Sequence, residues 1–340
     1  GTNLPDVMAV EVGYLGKFAD SNGLENLAAA PYGAGSLRSL FPAFSIQQAT
    51  SANGGLAAMP ADIGPGALFY RKDLLDKAGV AEADLLKSWE SFIESGKKVR
   101  AATGAYLVAS ATDIKDIVIR SDLKDGEGIY FDAKGAPQIT SARFQRAFEL
   151  AKAARAAGID GKIKAWSSEW TEGFRRDRIA TQMMGSWLAG HLANWIAPTQ
   201  KGAWRSSQLP AGAFASWGGS FYALPKQGKS KAQAWEFIKF MTTNRDVQIE
   251  SFRALDAFPA LVEAQNDKFT EQPIDYLGGQ PARLLWRDAA RRIPAITVSR
   301  FDSAAEEVVN SELEKVLEGG KDIKQALADA QQLLVRRSRR

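Results

Sequence analysis

The stretch Gly66-Ala67-Leu68-Phe69-Tyr70-Arg71-Lys72-Asp73 is an apolar run that passes directly into charged residues. It predicts a short buried strand over residues 67–70 and a helix over residues 71–78. Upstream, residues 56–59 form a second apolar run, and Pro60-Ala-Asp62-Ile-Gly-Pro-Gly66 separates the two runs. We interpret this segment, which is rich in proline and glycine, as a stiff crossing between two parts of the molecule and as a first hinge.

Five further stretches accompany this one in a fixed order. They are Leu4-Pro5-Asp6-Val7, Ser88-Trp89-Glu90-Ser91-Phe92, Met183-Met184-Gly185-Ser186-Trp187, Trp217-Gly218-Gly219-Ser220 and Ala234-Trp235-Glu236-Phe237-Ile238. Together, over almost the whole chain, they resemble the extracellular solute-binding proteins of bacterial ABC importers. The resemblance is to the carbohydrate-binding group, family 1, which includes maltose-binding protein. It implies a carrier that closes on a sugar rather than an enzyme.

Apolar periodicity predicts helices and strands that alternate along the chain. The predicted helices cover residues 14–22, 88–103, 141–157, 231–243, 299–319 and 322–335. The predicted strands include residues 4–10, 105–110, 179–184 and 214–224, whereas residues 194–213 are predicted to form a loop. Such alternation indicates lobes built on parallel sheets.

The resemblance specifies this α/β class further, as a two-lobed periplasmic-binding-protein fold with a hinge between the lobes, similar to type II. It implies three crossings, with residues 1–61 and 222–293 in lobe 1 and residues 62–221 and 294–340 in lobe 2. In the resembled family the opening strand follows a strand, a long helix and usually another strand. We therefore expect this N-terminal part of lobe 1, and any export signal, to be missing from the chain.

Composition excludes several other classes of protein. The chain has 340 residues, 43 basic and 39 acidic, and this near balance argues against nucleic-acid binding. The basic cluster Arg336-Arg-Ser-Arg-Arg340 is interpreted as a frayed terminal tail. No apolar run approaches the length that crosses a membrane.

The chain also lacks the residues of the common catalytic and metal sites. It has no cysteine and a single histidine, His191, which removes disulfides, thiol nucleophiles and histidine-rich metal sites. We interpret His191 as a partly exposed structural residue, and we expect no metal and no cofactor. Phosphate binding is disfavoured because no GxxxxGK[ST] motif is present.

Aromatic residues are numerous, with nine tryptophans and 17 phenylalanines. Most are expected to fill the core, among them Trp89 and Trp235, which lie at helical spacing from other apolar residues. A few tryptophans are expected to present a flat face to a sugar ring.

Ligands bind open α/β sheets at the tips that follow the strands. For the predicted strands, this rule nominates the segments that begin at Glu11, Asp62, Ala111, Gly185 and Trp217. In the resembled family these places border the cleft between the lobes, and residues 300–302 match a further cleft-lining stretch. The expected ligand-binding residues are Glu11, Tyr14, Asp62, Asp113, Trp187, Trp217, Gly218, Gly219, Arg300 and Asp302.

These residue types suit a neutral polyol, because carboxylates accept hydrogen bonds from hydroxyl groups and glycines let the backbone approach the ligand. Several candidates also have a structural interpretation. Trp187 could belong to the core, Asp62 could cap a turn, Glu11 could be a solvated edge residue, and Asp113 could cap a helix.

Other functions remain open at this stage. A carbohydrate-active enzyme would need two carboxylates, such as Asp62 and Asp302. A binding protein could instead carry a polyamine, a metal ion, or an acidic or sulfonated sugar, and Arg300 would suit an acidic ligand. A mono- to trisaccharide or a sugar alcohol is the preferred ligand.

The resemblance also implies the partners and the location. The expected partners are the sugar and the permease subunits of an ABC importer in the membrane, with no nucleic acid, and the protein is expected to be a monomer. The location is the periplasm or the cell exterior. The sequence leaves open whether the full-length protein is free or anchored by a lipid.

Overall fold

The computed structural model describes residues 4–338. Its strands are β1 (Met8–Glu11), β2 (Met59–Arg71), β3 (Thr181–Gly185), β4 (Trp204–Ser207) and β5 (Ser216–Ala223). Its α-helices are α1 (Val12–Ala19), α2 (Ala43–Ala49), α3 (Lys72–Lys77), α4 (Glu82–Leu86), α5 (Trp89–Thr103), α6 (Ala111–Arg120), α7 (Ala142–Ala156), α8 (Ser168–Arg175), α9 (Leu188–His191), α10 (Lys231–Thr243), α11 (Arg245–Leu255), α12 (Val262–Gln265), α13 (Ala282–Ala290), α14 (Asp302–Gly319) and α15 (Ile323–Ser338).

Local sequence patterns predicted the bounds of several longer helices to within one residue or less. Helix α10 has the predicted bounds, and α7 differs from its predicted range by one residue at each end. Ser88 caps α5 as expected, because its hydroxyl accepts a hydrogen bond of 3.1 Å from the Ser91 amide. Gly104 ends the same helix in the left-handed conformation, with φ of 74°.

Strand β2 replaces the two predicted strands of residues 56–59 and 67–70. It is one strand of 13 residues that runs straight through the proline- and glycine-rich segment. Proline is tolerated there because the pairing with β5 is interrupted between Pro60 and Asp62 and again between Ile63 and Pro65. The segment predicted to be a crossing is therefore itself a strand with two irregularities.

Strand β2 also connects two sets of partners. Its first part pairs with β5, which pairs with β1 on its other side. Its last part, from Gly66 onward, lies between β3 and β4. The prediction of parallel sheets is wrong for these strands, since every pairing among them is antiparallel. Within residues 4–338, parallel pairing occurs as isolated bridges, such as Tyr106 with Ile179 and Val108 with Asp160, and residues 105–110 do not form a full strand.

Two large hydrophobic cores are built from segments that are distant in sequence. Most of the first core comes from residues 10–63 and 221–293, with an aromatic contribution from residues 163–204. Most of the second comes from residues 68–159 and 305–334. Strand β2 contributes to both. Trp89 and Trp235 are buried in these cores, as predicted.

Two other expectations need correction. The predicted loop of residues 194–213 contains strand β4, whose sequence Trp-Arg-Ser-Ser lacks the alternation that marks a strand. The predicted basic tail begins inside α15, which continues to Ser338, while Arg339 and Arg340 lie outside the described residues. Within residues 4–338, none of the helices is both long and apolar enough to span a bilayer.

Candidate functional site

A cavity of about 1410 Å³ lies where several of these elements meet. It is lined by the start of α1, by the irregular part of β2 and the facing residues of β5, by α6, by residues 162–166, by α9 and the turn after it, and by α14. The side chains on its surface come from both hydrophobic cores. A concave site of this kind is the default place for a small-molecule ligand.

Eight of the ten predicted site residues line the cavity. They are Glu11, Asp62, Asp113, Trp187, Trp217, Gly218, Gly219 and Asp302. Tyr14 and Arg300 do not line it. Tyr14 lies on α1, and 56% of its surface is exposed. The Arg300 guanidinium lies over the ring of the adjacent Phe301, 4.6 Å from its centroid.

Trp187 is both part of the packing and part of the cavity surface. Its indole Nε1 donates a hydrogen bond of 2.9 Å to the carbonyl oxygen of Trp217. It is partly buried and packs against the first core. The structural and functional interpretations are therefore compatible, because the N–H is used internally while the indole still reaches the cavity.

Three further aromatic residues on the cavity surface were missed or misassigned from the sequence. Trp166 stacks on Trp187 with ring centroids 5.8 Å apart and an angle of 21° between the planes. His191 lies against Trp187 and against Trp195, at 5.4 and 5.8 Å. We call Trp166, Trp187, His191 and Trp195 the aromatic wall.

A sequence signal for part of this wall was available. Trp187, His191 and Trp195 follow one another at intervals of four residues, which places them on one face of a helix. Burial lowers the pKa of His191, so the imidazole is neutral at pH 7. His191 is partly exposed, as predicted, and it also lines the cavity, a position that was not predicted for it.

Two glycines on the cavity surface are also required by their backbone conformation. Gly218 and Gly219 have φ of 76° and 126°, which residues with a side chain rarely adopt. Their place at the cavity surface agrees with the expected close approach of the backbone to a ligand.

The predicted carboxylates have defined local roles. Glu11 caps α1 by accepting a hydrogen bond of 2.7 Å from the Gly13 amide. Asp62 accepts one of 3.1 Å from the Ser220 amide of β5. Asp113 is the third residue of α6, and its side chain accepts a hydrogen bond of 3.3 Å from the amide of Ser110. The N-cap of this helix is Ser110, so the alternative prediction of Asp113 as an N-cap is wrong, although Asp113 completes the capping box.

Asp302 differs from these residues because one of its oxygens is unused. Its Oδ2 accepts a hydrogen bond of 2.8 Å from the Ser299 amide. Its Oδ1 is buried and has no hydrogen-bond partner within residues 4–338. A buried acceptor without a donor is costly, so a ligand that supplies a donor would stabilise this site.

Arg120 and Tyr130 were not predicted and also line the cavity. The Arg120 guanidinium lies over the Trp217 ring, 4.5 Å from its centroid, and donates a hydrogen bond of 3.1 Å to the carbonyl oxygen of Asp116. The hydroxyl of Tyr130 is buried and unpartnered in the described part of the chain. Neither residue directly follows a predicted strand, so both were missed by the rule that ligands bind at the tips after strands.

Burial raises the pKa of all four predicted carboxyl groups. The pKa values of Glu11 and Asp62 are raised, mainly by burial. Burial, reinforced by Asp116, raises the pKa of Asp113 to about 7, and burial raises that of Asp302 to about 7 as well. The cavity therefore holds carboxyl groups that can exchange protons near neutral pH.

These shifts predict a pH dependence of stability. Asp113 and Asp302 bind a proton more tightly in the folded than in the unfolded state, whose Asp pKa is 3.8. Their contribution to the free energy of unfolding therefore falls as the pH rises from about 4 to about 7, by at most about 1.4 kcal/mol per pH unit for each group.

This predicted pH dependence is tested by urea unfolding of the wild type, Asp113→Asn and Asp302→Asn between pH 4 and pH 7. Each variant should lose less stability with rising pH, and slopes equal to the wild-type slope would contradict the assignment.

Comparisons with known proteins agree with this architecture. Residues 1–275 match the profile of a family described as bacterial extracellular solute-binding protein. The lactose-binding protein of Rhizobium radiobacter is 26% identical over 278 residues, which are 78% of this chain and 64% of that protein. The chain thus spans less than two thirds of the length of this relative.

Solved structures are similar over nearly the whole chain. A crystal structure of an extracellular solute-binding protein of family 1 has a TM-score of 0.83 and 25% identity, and the match covers 96% of this chain and 84% of that one. An ABC-transporter-associated binding protein of B. animalis subsp. lactis Bl-04, in complex with beta-1,6-galactobiose, has a TM-score of 0.81 and 23% identity, with 99% and 85% covered. These likenesses confirm the predicted two-lobed α/β fold.

Proposed function

The chain belongs to the bacterial extracellular solute-binding proteins, as the sequence landmarks predicted, and from this premise we propose that it binds a sugar in the cavity between its two cores. The family is one of binding proteins, so the chain is a binding protein rather than an enzyme. The carbohydrate-active enzyme with Asp62 and Asp302 as a catalytic pair is therefore no longer an alternative.

The aromatic wall beside unpaired hydrogen-bonding groups is the observation that carries this proposal. Indole faces match the C–H-rich face of a sugar ring, and Trp166 and Trp195 are 51% and 46% exposed. Carboxylates nearby accept hydrogen bonds from hydroxyl groups, as Asp302 Oδ1 is free to do. The names of similar proteins point the same way, since one is a lactose-binding protein and another binds a galactobiose. A mono- to trisaccharide or a sugar alcohol is the proposed ligand.

Hinge closure is the proposed mechanism. Residues 1–61 and 222–293 would form one lobe and residues 62–221 and 294–340 the other, with β2 and β5 crossing between them. The second core lies within the proposed second lobe, and most of the first core lies within the proposed first lobe. More than a third of the first core, including Ile63, Phe69 and many residues of 163–204, comes from the range assigned to the second lobe. A sugar that contacts both lobes would favour the closed form by the difference between its affinities for the two forms.

The partner and the location follow from the family. The closed protein would dock on the permease subunits of an ABC importer, in the periplasm or at the cell exterior. The proposed ligand-binding unit is a monomer that needs no cofactor and does not bind nucleic acid.

Tryptophan fluorescence gives a direct test. Because Trp166, Trp187, Trp195 and Trp217 all line the cavity, a bound sugar should change the emission in a saturable way. The protein is titrated with a panel of sugars and sugar alcohols, with spermidine as a non-sugar ligand, and each compound is quantified afterwards. Saturable binding of a sugar that is recovered unchanged is expected. Binding of spermidine alone, or no binding at all, would contradict the proposal.

A further inference from the structure

The cavity has a charge opposite in sign to that of the whole chain. The chain carries a formal net charge of +4. Within residues 4–338, however, the cavity is lined by nine acidic side chains and four basic ones. A ligand in this cavity therefore meets a negative potential, which favours a positive charge and disfavours a negative one.

Three of the four basic side chains form ion pairs, and two of their three partners also line the cavity. Arg120 pairs with Asp116 at 3.4 Å. Arg155 pairs with Asp160 at 2.9 Å and also with Glu318, which lies 3.8 Å from Lys162. Nine acidic against four basic side chains leave an excess of five acidic side chains in the cavity lining of the described residues.

Part of this acidic lining forms one group of residues around the start of α14, which we call the acidic subsite. It consists of Asp302, Glu306, Tyr130 and Arg120. Asp302 and Glu306 are four residues apart on α14 and so share one face of the helix. Arg120, Glu306, Asp116 and Asp302 are the charged groups that act on Tyr130.

Glu11 adds a further carboxylate to the cavity lining. It is the last residue of β1 and the N-cap of α1, and its carboxyl group is influenced by Glu306, Arg120 and Asp62. The cavity therefore brings together carboxylates from the junction of β1 and α1, from β2 and from α14. Arg120 offsets part of this charge, and its guanidinium is shared with Asp116.

Two atoms of the subsite show that it is built for a polar group. Asp302 Oδ1 is a buried acceptor, and the Tyr130 hydroxyl is a buried donor and acceptor on a side chain that is 2% exposed. Both lack a hydrogen-bond partner among the residues described. Such groups are rare in folded proteins and costly when left unpaired, so the ligand is expected to supply their partners.

A hydroxyl group and an ammonium group would satisfy these atoms differently. A hydroxyl donates one hydrogen bond and leaves the excess negative charge in place. An ammonium donates three and brings the opposite charge, and hydrogen bonds between charged groups are about twice as strong as neutral ones. The aromatic wall suits either ligand, because indole faces attract cations as well as sugar rings.

We infer that the preferred ligand is an amino sugar, whose protonated amine lies in the acidic subsite against Asp302 and Glu306 while its ring contacts the aromatic wall. This inference rests on the proposed function and makes it more specific. A polyamine would satisfy the charge but has no ring to cover the aromatic wall, so a charged sugar uses both features of the cavity.

Matched sugars test the inference. Glucose, galactose, cellobiose and lactose are each compared with their 2-amino and 2-acetamido counterparts at pH 7 and low salt. The amino form is expected to bind about tenfold more tightly than the hydroxyl form. The acetamido form keeps the nitrogen without its charge and should lose this gain. High salt should also reduce it.

The outcomes separate this inference from the proposed function. If a neutral sugar binds as tightly as its amino counterpart, or more tightly, the inference is overturned and sugar binding stands. If no sugar of either kind binds, both are overturned, whether spermidine binds or not.

Substitutions identify which carboxylate causes the preference for the amino form of the sugar. In Glu306→Gln, the preference for the amino form over the hydroxyl form should fall about tenfold, and Asp302→Asn should act in the same direction. Glu149→Gln removes one negative charge on α7 outside the cavity lining and should leave the preference unchanged. An unchanged preference in both Glu306→Gln and Asp302→Asn would overturn the placement of the amine.

Discussion

Replacement of Trp166 by alanine is expected to weaken ligand binding by about 1–2 kcal/mol, or roughly fivefold to thirtyfold in Kd. The reason is that its indole is 51% exposed at the cavity surface, so a ligand that covers this face buries apolar area that alanine cannot replace. The backbone at this position has φ of 66°, which is equally strained for both residues. The free energy of unfolding should therefore change much less than the affinity, as measured by fluorescence titration and urea unfolding.

Trp170 provides the matched comparison. It lies four residues further along and contacts Trp166, but it is 0% exposed, and its Nε1 donates a hydrogen bond of 3.0 Å to Gln182 Oε1. Trp170→Ala should thus lower the free energy of unfolding by about 3–5 kcal/mol. If Trp166→Ala left the affinity unchanged, the ligand would not use the aromatic wall, and the proposed binding mode would be wrong.

Replacement of Gly64 by alanine is expected to lower the free energy of unfolding by about 3 kcal/mol and to impair binding at the same time. A Cβ atom at Gly64 would overlap the carbonyl oxygen of Trp217 on β5. That oxygen is backbone and cannot move away as a flexible side chain could. It also accepts the hydrogen bond from Trp187 Nε1, so a shift of β5 would disturb the aromatic wall.

Gly35 is a suitable control for this effect. The nearest atoms to a Cβ at Gly35 lie at 3.7 Å, an ordinary contact distance. Gly35→Ala should therefore change stability by less than about 1 kcal/mol. Equal stability of the Gly64 and Gly35 variants would show that β2 and β5 are not held together as tightly as the structure indicates.

Much of the fold was predictable because its signals are local. The cap at Ser88, the glycine at 104 and the apolar periodicity of α7 and α10 each lie within one helix, where neighbouring residues decide the conformation. The pairing of strands was less predictable. The long strand β2 depends on β4 and β5 as partners, and β4 depends on β2, although β2 is separated from both by more than 100 positions in the chain.

The candidate site divides in a similar way. Eight of the ten predicted residues line the cavity, and Asp302 among them was named from the family resemblance, whereas the others follow predicted strands or lie in the stretches quoted from the sequence. Tyr14 and Arg300 do not line the cavity, and the role of all ten residues in ligand binding stays a prediction. Trp166, Arg120, Tyr130 and Glu306 were missed, because no local pattern distinguishes a tryptophan or a charged residue in a cavity from one at the surface or in the core.

Residue types and their order were enough to predict the family and the two-lobed α/β fold. Three features of the candidate site were not predictable in this way: the stacking of Trp166 on Trp187, the position of Arg120 over the Trp217 ring, and the buried oxygen of Asp302 that has no hydrogen-bond partner within residues 4–338. The physical reason is that burial, charge and hydrogen bonding depend on distance in space. The segments that meet here, such as Asp62 and Ser220, are 158 residues apart in the chain.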